Sequence, residues 1–315
     1  MIFSAAVLAF VIAQPATHQP APRTDETVPV QRGTRLMINN FAGEVVIRTW
    51  DKDSLHVVAR HHERTRVNIR PGGNTVSISA SGTRGPQGSV DYEITAPVWM
   101  PIKVEGTYAF VSMDGVGGEV SAETVNGDVI VKGGTGVITA KSIQGQVLVD
   151  GARGKINVST TNEKVAISNS SGEITADSIN GDVTLTGMDA KSVDASTVNG
   201  NIVYEGKLQE GGHYTFGTHN GDIALGLPEN VNATFTFRTY QGGFSSDLPL
   251  QISRNDLQRG RRVTTTLGNG SADVSLETFG GSIRLRKGSV GRPRGRQEAA
   301  SRRPVGRPEG AATAR

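Results

Sequence analysis

Cysteine is absent from the 315-residue chain, and aromatic residues make up only 5% of it. Without cysteine the protein can form no disulfide, no Cys-ligated zinc site and no thiol catalyst, and it has no lipoprotein acylation site. The shortage of aromatic residues, together with 40 glycines, is typical of many short strands and turns rather than of long helices. The composition therefore predicts an all-β protein.

Long apolar runs are also scarce, and the clearest one lies at the N-terminus. Residues 5–13 are uninterruptedly apolar, but this run is too short to span a membrane, which takes about 20 residues. We interpret residues 1–13 as a signal peptide, with a buried N-terminal strand as the alternative. Residues 14–30 contain four prolines and are predicted to be an extended linker. We therefore expect an exported protein without a transmembrane anchor, in the periplasm, at the cell surface or secreted.

Positive charge is concentrated at the C-terminus. The net charge of the chain is +3, yet residues 287–315 alone contain eight basic and two acidic residues. The body is therefore slightly acidic, which argues against a nucleic-acid partner. Residues 288–315 are rich in Arg, Gly and Pro and too poor in apolar residues to build a core, so we expect a disordered tail.

A repeat of about 18 residues organises the rest of the chain. In the copy that begins at Val120, apolar residues lie at positions 0, 2, 5, 9 and 11, counted from Val120. The pattern recurs in ten copies, and only Thr107, Thr161, His219 and Ser246 break it. The copies begin at Leu36, Ile102, Val120, Ile138, Ile156, Ile174, Val193, Tyr214, Phe235 and Val274.

The spacing of these positions predicts two short strands per copy. Positions 0 and 2, and positions 9 and 11, have the period of two that places side chains on one face of a strand. Positions 6 and 7 often read Asn-Gly, as in Asn126-Gly127, and these residues tolerate the positive φ of a tight corner. Ser or Thr at position 4 can bond the corner's backbone amides. We interpret position 5 as a further core column.

Two arrangements of such strands are open. Asn-Gly between strands is a strong hairpin signal and would give an antiparallel meander, in which Ala122 pairs with Val131. In a β-solenoid, or β-helix, Val120 instead stacks on Ile138. Extra residues fall only between position 11 and the next copy, which favours a solenoid over residues 31–287. Residues 50–96 interrupt the repeat and are predicted to form an N-terminal β cap, and residues 247–272 form an insertion.

No catalytic, cofactor or metal site is predicted. Carbohydrate-cleaving solenoids need converging carboxylates, but the aspartates at position 8 are not on adjacent coils and are expected to be solvated: Asp128, Asp182 and Asp222. A metal site at His56, His61, His62 and Glu63 is disfavoured because neighbouring strand residues point to opposite faces. His219 is expected to be a hydrogen-bonded corner residue in the core column.

Two surfaces are candidate contact sites. The outward position 10 is apolar in six copies and must be covered by the N-terminal strands, by the insertion, by a partner or by self-association: Val46, Ile130, Leu148, Ala166, Val203 and Ala224. The insertion is basic and suits phosphate or carboxylate groups of envelope polymers, or it folds over position 10 with its arginines solvated: Arg254, Arg259, Arg261 and Arg262.

Three segments carry a resemblance to a known family: Glu123-Thr124-Val125-Asn126-Gly127-Asp128-Val129, Asp177-Ser178-Ile179-Asn180-Gly181-Asp182-Val183 and Glu277-Thr278-Phe279-Gly280-Gly281-Ser282-Ile283. Residues 36–287 resemble the bacterial putative-adhesin family of β-strand-repeat domains, a domain of unknown function related to auto-transporter adhesin heads. Asn162-Glu163-Lys164 departs from the Asn-Gly-Asp corner, so we expect a distorted coil there.

The resemblance implies a non-catalytic, adhesin-like binding or scaffold module of the cell envelope. Its partner would be an envelope polymer or another envelope protein, and self-association stays open. The alternative is a glycan-active β-helix enzyme, either a polysaccharide lyase or a hydrolase. The family has no established catalytic residues, so none is carried over.

Overall fold

The computed structural model describes residues 24–83, 88–250, 252 and 262–290. The predicted signal peptide, most of the predicted linker, nearly all of the C-terminal tail, and Arg254, Arg259 and Arg261 lie outside these residues. All regular structure in the described part is β, in 23 strands without a helix, as predicted. It follows that no helix in this part is long and apolar enough to cross a membrane.

The strands form two walls that face each other across the core. Wall A carries positions 0–4 of each coil and wall B carries positions 8–12. Three long strands pass from one wall to the other: β2 (Arg35–Trp50), β7 (Ile102–Val116) and β15 (Val183–Thr197).

The remaining strands belong to one wall each. Wall A contains β4 (Thr65–Gly72), β5 (Thr75–Gly82), β8 (Val120–Glu123), β10 (Thr135–Lys141), β12 (Arg153–Ser159), β14 (Ser171–Asp177), β17 (His213–Thr218), β19 (Ala233–Thr239), β21 (Val263–Leu267) and β22 (Ala272–Thr278). Wall B contains β1 (Thr24–Pro29), β3 (Ser54–His61), β6 (Val90–Pro97), β9 (Val129–Gly133), β11 (Val147–Asp150), β13 (Val165–Ser168), β16 (Ile202–Gly206), β18 (Ile223–Leu227), β20 (Phe244–Ser246) and β23 (Ile283–Lys287).

Successive coils stack in parallel and in register, which confirms the solenoid and rules out the meander. Val120 pairs with Ile138, and Ile138 pairs with Ile156. On wall B, Val129 pairs with Val147. Positions 0, 2, 9 and 11 point between the walls and are buried in all copies except the Phe235 copy, in which Phe244 and Ser246 are partly exposed. Each copy therefore contributes side chains from the same few positions to one continuous core.

The order of the last coils differs from the order of the sequence. Strand β22 of the last copy pairs with β17 on one side and with β19 on the other, and β23 lies in the same way between β18 and β20. The Val274 coil is therefore inserted between the Tyr214 and Phe235 coils. The described part of the insertion includes β21, which pairs antiparallel with β19 and closes the end of wall A.

The N-terminal end is built on the same principle. The Leu36 coil lies between the Ile102 coil and an additional coil made by β5 and β6. Strands β3 and β4 then run antiparallel against β6 and β5 and complete the predicted cap. Residues 24–29, which we expected at the end of a linker, form β1 instead and pair antiparallel with β3. The pairing satisfies the backbone of β3, which would otherwise be an open edge.

Candidate binding groove

Eight of the ten side chains at position 5 are exposed and the other two, Thr107 and Thr161, are partly exposed, so the prediction of a core column was wrong. Val125, Ile143 and Ile179 are 42%, 45% and 47% exposed, and Phe279 is 39% exposed. Positions 0, 2 and 4 alternate inward, and position 5 therefore points outward at the corner. We call this row of side chains the corner ladder; in the order of the stack it comprises Phe41, Thr107, Val125, Ile143, Thr161, Ile179, Val198, His219, Phe279 and Tyr240.

Beside the corner ladder runs a buried row of Ser and Thr at position 4. Each hydroxyl donates a hydrogen bond to the position-7 carbonyl of a neighbouring coil, as Ser142 does to Gly127 and Thr160 to Gly145, both at 2.8 Å. The predicted contact with a corner amide occurs as well, for example from the Gly181 N–H to Ser178 Oγ at 3.0 Å. These bonds join coil to coil and hold the corner rigid.

Close stacking, rather than backbone conformation, explains most of the corner glycines. A Cβ at Gly145 would lie 2.0 Å from the Gly127 carbonyl oxygen, and one at Gly200 would lie 2.1 Å from the Gly181 oxygen. Of the glycines in the Asn-Gly corners only Gly127 has a positive φ, so our expectation of positive φ was wrong for the others.

Asparagine side chains at position 6 also bond from coil to coil along the corner. Asn180 donates to Asn162 at 3.0 Å, and Asn199 donates to Asn180 at 3.0 Å. The Asn162-Glu163-Lys164 corner takes part in this row of asparagine hydrogen bonds, and the strands β12 and β14 of the adjacent coils pair without a register shift. The expected distortion of that coil is therefore not present.

Position 3 completes an open groove along the edge of wall A. The position-3 side chains form the polar side of this groove, which we call the polar wall of the groove; it is a row within wall A. The corner ladder forms the opposite side, and the buried Ser and Thr residues at position 4 lie between the two rows. Over the five coils from Ile102 to Ile174 this groove has a volume of about 570 Å³. Over the next four coils a second stretch has about 560 Å³. We call the two stretches together the corner groove.

The polar wall of the corner groove has more acidic than basic side chains. Lys141 faces Glu123 at 3.9 Å, and Arg238 faces Glu277 at 3.4 Å. Glu105 and Asp177 are two further carboxylates at position 3, and neither has a lysine or arginine at position 3 of an adjacent coil. Glu105 pairs instead with Lys103, at position 1 of its own coil, at 2.6 Å. The groove thus offers an apolar row on one side and hydrogen-bond acceptors on the other.

An aromatic cluster ends the corner groove at the C-terminal side of the stack. The rings of His219 and Phe279 lie 4.9 Å apart at 8°, and those of Tyr240 and Phe279 lie 5.1 Å apart. The Arg238 guanidinium lies 4.7 Å from the Tyr240 ring. His219 is exposed, so its assignment to the core was wrong. The sequence alone could not place Phe279 between the other two rings, because that position follows from the inserted coil.

The position-8 aspartates are bound to the neighbouring coils. Asp128 accepts the backbone N–H of Gln146 at 3.0 Å, Asp182 that of Asn201 at 2.7 Å, and Asp222 that of Ser282 at 2.8 Å. Asp182 is exposed and Asp128 and Asp222 are partly exposed, as expected, and each in addition accepts a backbone N–H next to a strand of the neighbouring coil.

The histidines of the cap have separate partners. His56 bonds Asp25 at 2.8 Å and His61 bonds Thr24 at 3.0 Å, so both rings help to fix β1. In the described ranges no three His, Asp or Glu side chains come together as metal ligands.

Of the four predicted contact arginines, the structure describes Arg262. It lies at the end of wall A beside a hydroxyl-rich hollow of about 300 Å³, lined also by His213, Asp273 and the threonines of β19. Thr234 and Thr236 face Thr266 and Thr264 at 3.3 Å. In the described part of the insertion, β21 therefore extends wall A, and Leu248 is buried in the core at the end of the stack.

Position 10 forms an outer column on the outside of wall B. The N-terminal strands do not cover it, because β1, β3 and β6 continue wall B edge to edge. Ile130, Leu148 and Ala166 are partly exposed, whereas Val203 and Ala224 are each only 7% exposed. The predicted cover by the N-terminal strands was wrong.

Three solved structures and one family model are similar to this chain. A putative cell adhesion protein from Clostridium sporogenes is 9% identical (TM-score 0.27), and the match covers 84% of this chain and 99% of that one. Putative adhesins from Bacteroides fragilis (11%, TM-score 0.39, 83% and 96% covered) and Parabacteroides merdae (10%, TM-score 0.35, 84% and 96%) are similarly distant. No curated protein matches the chain. The Toastrack DUF4097 family model matches residues 34–286, and the chain therefore belongs to this family of β-solenoid repeat proteins.

Proposed function

We propose that this protein is a non-catalytic, adhesin-like binding module of the cell envelope, and that the corner groove binds an elongated glycan along the axis of the stack. The observation that carries the proposal is the corner ladder, a row of mostly apolar, exposed side chains on a rigid edge that is interrupted by Thr107, Thr161 and His219. Export to the periplasm or the cell surface is part of the proposal and rests on the apolar run at residues 5–13.

The corner ladder is an unusual surface for a protein without a partner. Exposed apolar residues are normally scattered, and a contiguous apolar patch marks a binding surface. Nine coils at about 4.8 Å per coil make the groove roughly 40 Å long. A ligand that covers the side chains of the corner ladder would gain about 25 cal/mol of binding free energy for each Å² of apolar surface removed from water. This gain would be summed over many equivalent contacts.

The shape and charge of the groove favour a neutral or amine-bearing polysaccharide. A ligand with repeating units can make the same contact at each coil, and linked contacts raise the overall affinity. The C–H faces of sugar rings fit the apolar ladder, while sugar hydroxyls can donate to Glu123 and Asp177. The excess of carboxylates disfavours a strongly anionic polymer here.

Threonine substitutions on the corner ladder test this proposal. Threonine already occurs in the corner ladder, at Thr161. The corner therefore accepts the side chain that is introduced by Val125→Thr, Ile143→Thr and Ile179→Thr. The matched control is Val137→Thr, because Val137 is 44% exposed on wall A but lies outside the corner groove. Binding is measured on isolated peptidoglycan sacculi and on a panel of neutral, amino and acidic polysaccharides.

We expect the triple variant to lose at least tenfold in affinity, about 1.4 kcal/mol, with an unchanged melting temperature, and the control to bind as the parent does. Equal retention of the triple variant and the parent would refute the groove. Retention on envelope protein alone, with none on any polysaccharide, would replace the glycan by a protein partner.

A further inference from the structure

Among the described coils, the polar wall of the corner groove has one gap, at Gly217. Position 3 carries a side chain in every other coil of the groove, from Glu105 at one end to Arg238 at the other. A Cβ at Gly217 would meet no atom within 4 Å, so no neighbouring side chain fills the gap. The groove is therefore open at this coil toward the outer face of wall A.

The gap leads to the hydroxyl-rich hollow beside Arg262. Thr215 and Ser275, both at position 1, line that hollow and also the second stretch of the corner groove. The first stretch, by contrast, is lined by positions 3, 4 and 5 alone. Positions 1 and 3 lie on one face of a strand, about 7 Å apart. The groove and the hollow are therefore continuous through the gap, and we call the gap and the hollow together the side pocket.

The side pocket offers both donors and acceptors of hydrogen bonds. Four hydroxyls line it, and each can donate and accept: Thr215, Thr234, Thr236 and Ser275. His213 Nδ1 lies 3.4 Å from Asp273 Oδ2 beside them, and the charges of Asp273 and Arg262 offset each other. The volume of the hollow, about 300 Å³, is at the lower end for ligand pockets. This chemistry suits one small, uncharged group with several hydroxyls, such as a single sugar.

The aromatic cluster lies across the groove from the gap. His219 follows Gly217 by two residues on the same coil, and Phe279 of the next coil stacks on its ring at 4.9 Å. A sugar unit in contact with these rings has its opposite edge at the gap, so a substituent on that edge can leave the groove there. At coils such as those of Glu123 and Lys141, a long position-3 side chain occupies the equivalent place.

From these observations we propose that the protein selects a branched polysaccharide, with the backbone of the glycan in the corner groove and a single-sugar branch in the side pocket. The inference rests on the proposed function, because the branch is attached to the glycan that the groove binds. The branch passes Gly217, and its hydroxyls bond Thr215, Ser275 and the threonines of β19. An unbranched glycan makes only the contacts of the corner ladder and the polar wall.

Two oligosaccharides with the same backbone test the side pocket: linear mannohexaose, and the same hexaose with one galactose branch. Amide NMR signals of the isotope-labelled full chain report the two places separately. The amides of the corner ladder report on the groove, and those of Thr215, Thr236 and Ser275 report on the side pocket. The same titrations give both dissociation constants.

Gly217→Gln fills the gap with a side chain for which there is room. The matched control is Ser159→Gln, which adds the same side chain to the polar wall three coils away, between the longer side chains of Lys141 and Asp177. The quantity compared is the preference, which is the affinity for the branched hexaose divided by the affinity for the linear one. A general narrowing of the groove changes both affinities and leaves this ratio as it is.

We expect the parent to prefer the branched hexaose at least tenfold. The branched sugar should shift the amides of both places, and the linear sugar those of the corner ladder alone. In Gly217→Gln the preference should fall at least fivefold at an unchanged melting temperature, and in Ser159→Gln it should equal that of the parent.

The side pocket and the groove can fail separately. Equal affinities of the parent for the two hexaoses, or no shift in the side pocket while the corner ladder responds, would overturn the branch and leave the groove in place. A preference that survives in Gly217→Gln would also overturn it, because the branch would then not pass the gap. Shifts at neither place with either sugar would overturn the side pocket and count against the proposed function as well.

Discussion

The ring of Phe279 stacks on the ring of His219 at 4.9 Å and 8°, although the whole Phe235 coil lies between them in the chain. The contact exists because the last copy is inserted beside the Tyr214 coil. Phe279 thereby joins three coils into one aromatic cluster, since Tyr240 lies on its other side. The chemistry at this end of the groove depends on the order in which the coils stack.

Phe279→Ala is expected to destabilise the protein by about 1 kcal/mol, because aromatic pairs contribute about 0.5–1.5 kcal/mol beyond their buried area. His219→Ala and the double variant complete a thermodynamic cycle in urea unfolding. The two substitutions should be less than additive. Additive effects would mean that the stacked rings contribute nothing to each other.

Thr160→Val should cost about 1–2 kcal/mol. The buried Thr160 hydroxyl donates to the Gly145 carbonyl at 2.8 Å, and valine leaves that carbonyl without its donor at nearly unchanged volume. The next residue provides the control: Thr161 lies on the corner ladder, so Thr161→Val should change the free energy of unfolding by less than about 0.5 kcal/mol. Equal effects of the two variants would contradict the structural role of the hydroxyl row.

Gly145→Ala should cost about 3 kcal/mol, because its Cβ would meet the Gly127 oxygen at 2.0 Å and force the coils apart. Gly217→Ala is the matched control, since nothing lies within 4 Å of a Cβ there. Chemical denaturation measures both. A tolerated alanine at 145 would show that the corner can open without loss of stacking.

The Asp150 carboxylate should give a measurable pH effect. Hydrogen bonds from the Ser168 hydroxyl at 2.6 Å and from the Asn169 amide at 2.8 Å lower the pKa of Asp150 below its ordinary value. A lowered folded-state pKa contributes stability above the unfolded pKa, and this contribution is lost as the pH falls through the folded value. Stability should therefore decline as the solution is acidified below about pH 4.

Ser168→Ala should raise the pKa of Asp150 toward its ordinary value and make that acid dependence shallower. Carboxyl NMR titration gives the pKa directly, and urea unfolding between pH 6 and 3 gives the linked stability. Ser112→Ala, on the same wall but in the outer column, should leave the Asp150 titration unchanged. An unmoved pKa in Ser168→Ala would show that the hydroxyl does not stabilise the carboxylate.

The period of the repeat was enough to predict the strands, the corner and the parallel stack. Positions 0, 2, 9 and 11 alternate as inward-facing strand residues must, and a corner of constant length favours a solenoid over a meander. The structure decides between the two by pairing Val120 with Ile138. The alternation of inward and outward residues within a few positions indicates the strands, and the similarity of the copies indicates that they stack on one another.

The direction of position 5 and the order of the coils were decided by tertiary structure. An apolar residue such as Ile143 at a corner can point to either side, and only the buried Ser142 hydroxyl, which donates to Gly127 of the preceding coil, shows which side is inward. The Phe235 and Val274 copies have equivalent edges, so the local pattern cannot rank them. Their order depends on which backbone edge pairs with β17, and that pairing is a long-range property of the folded chain.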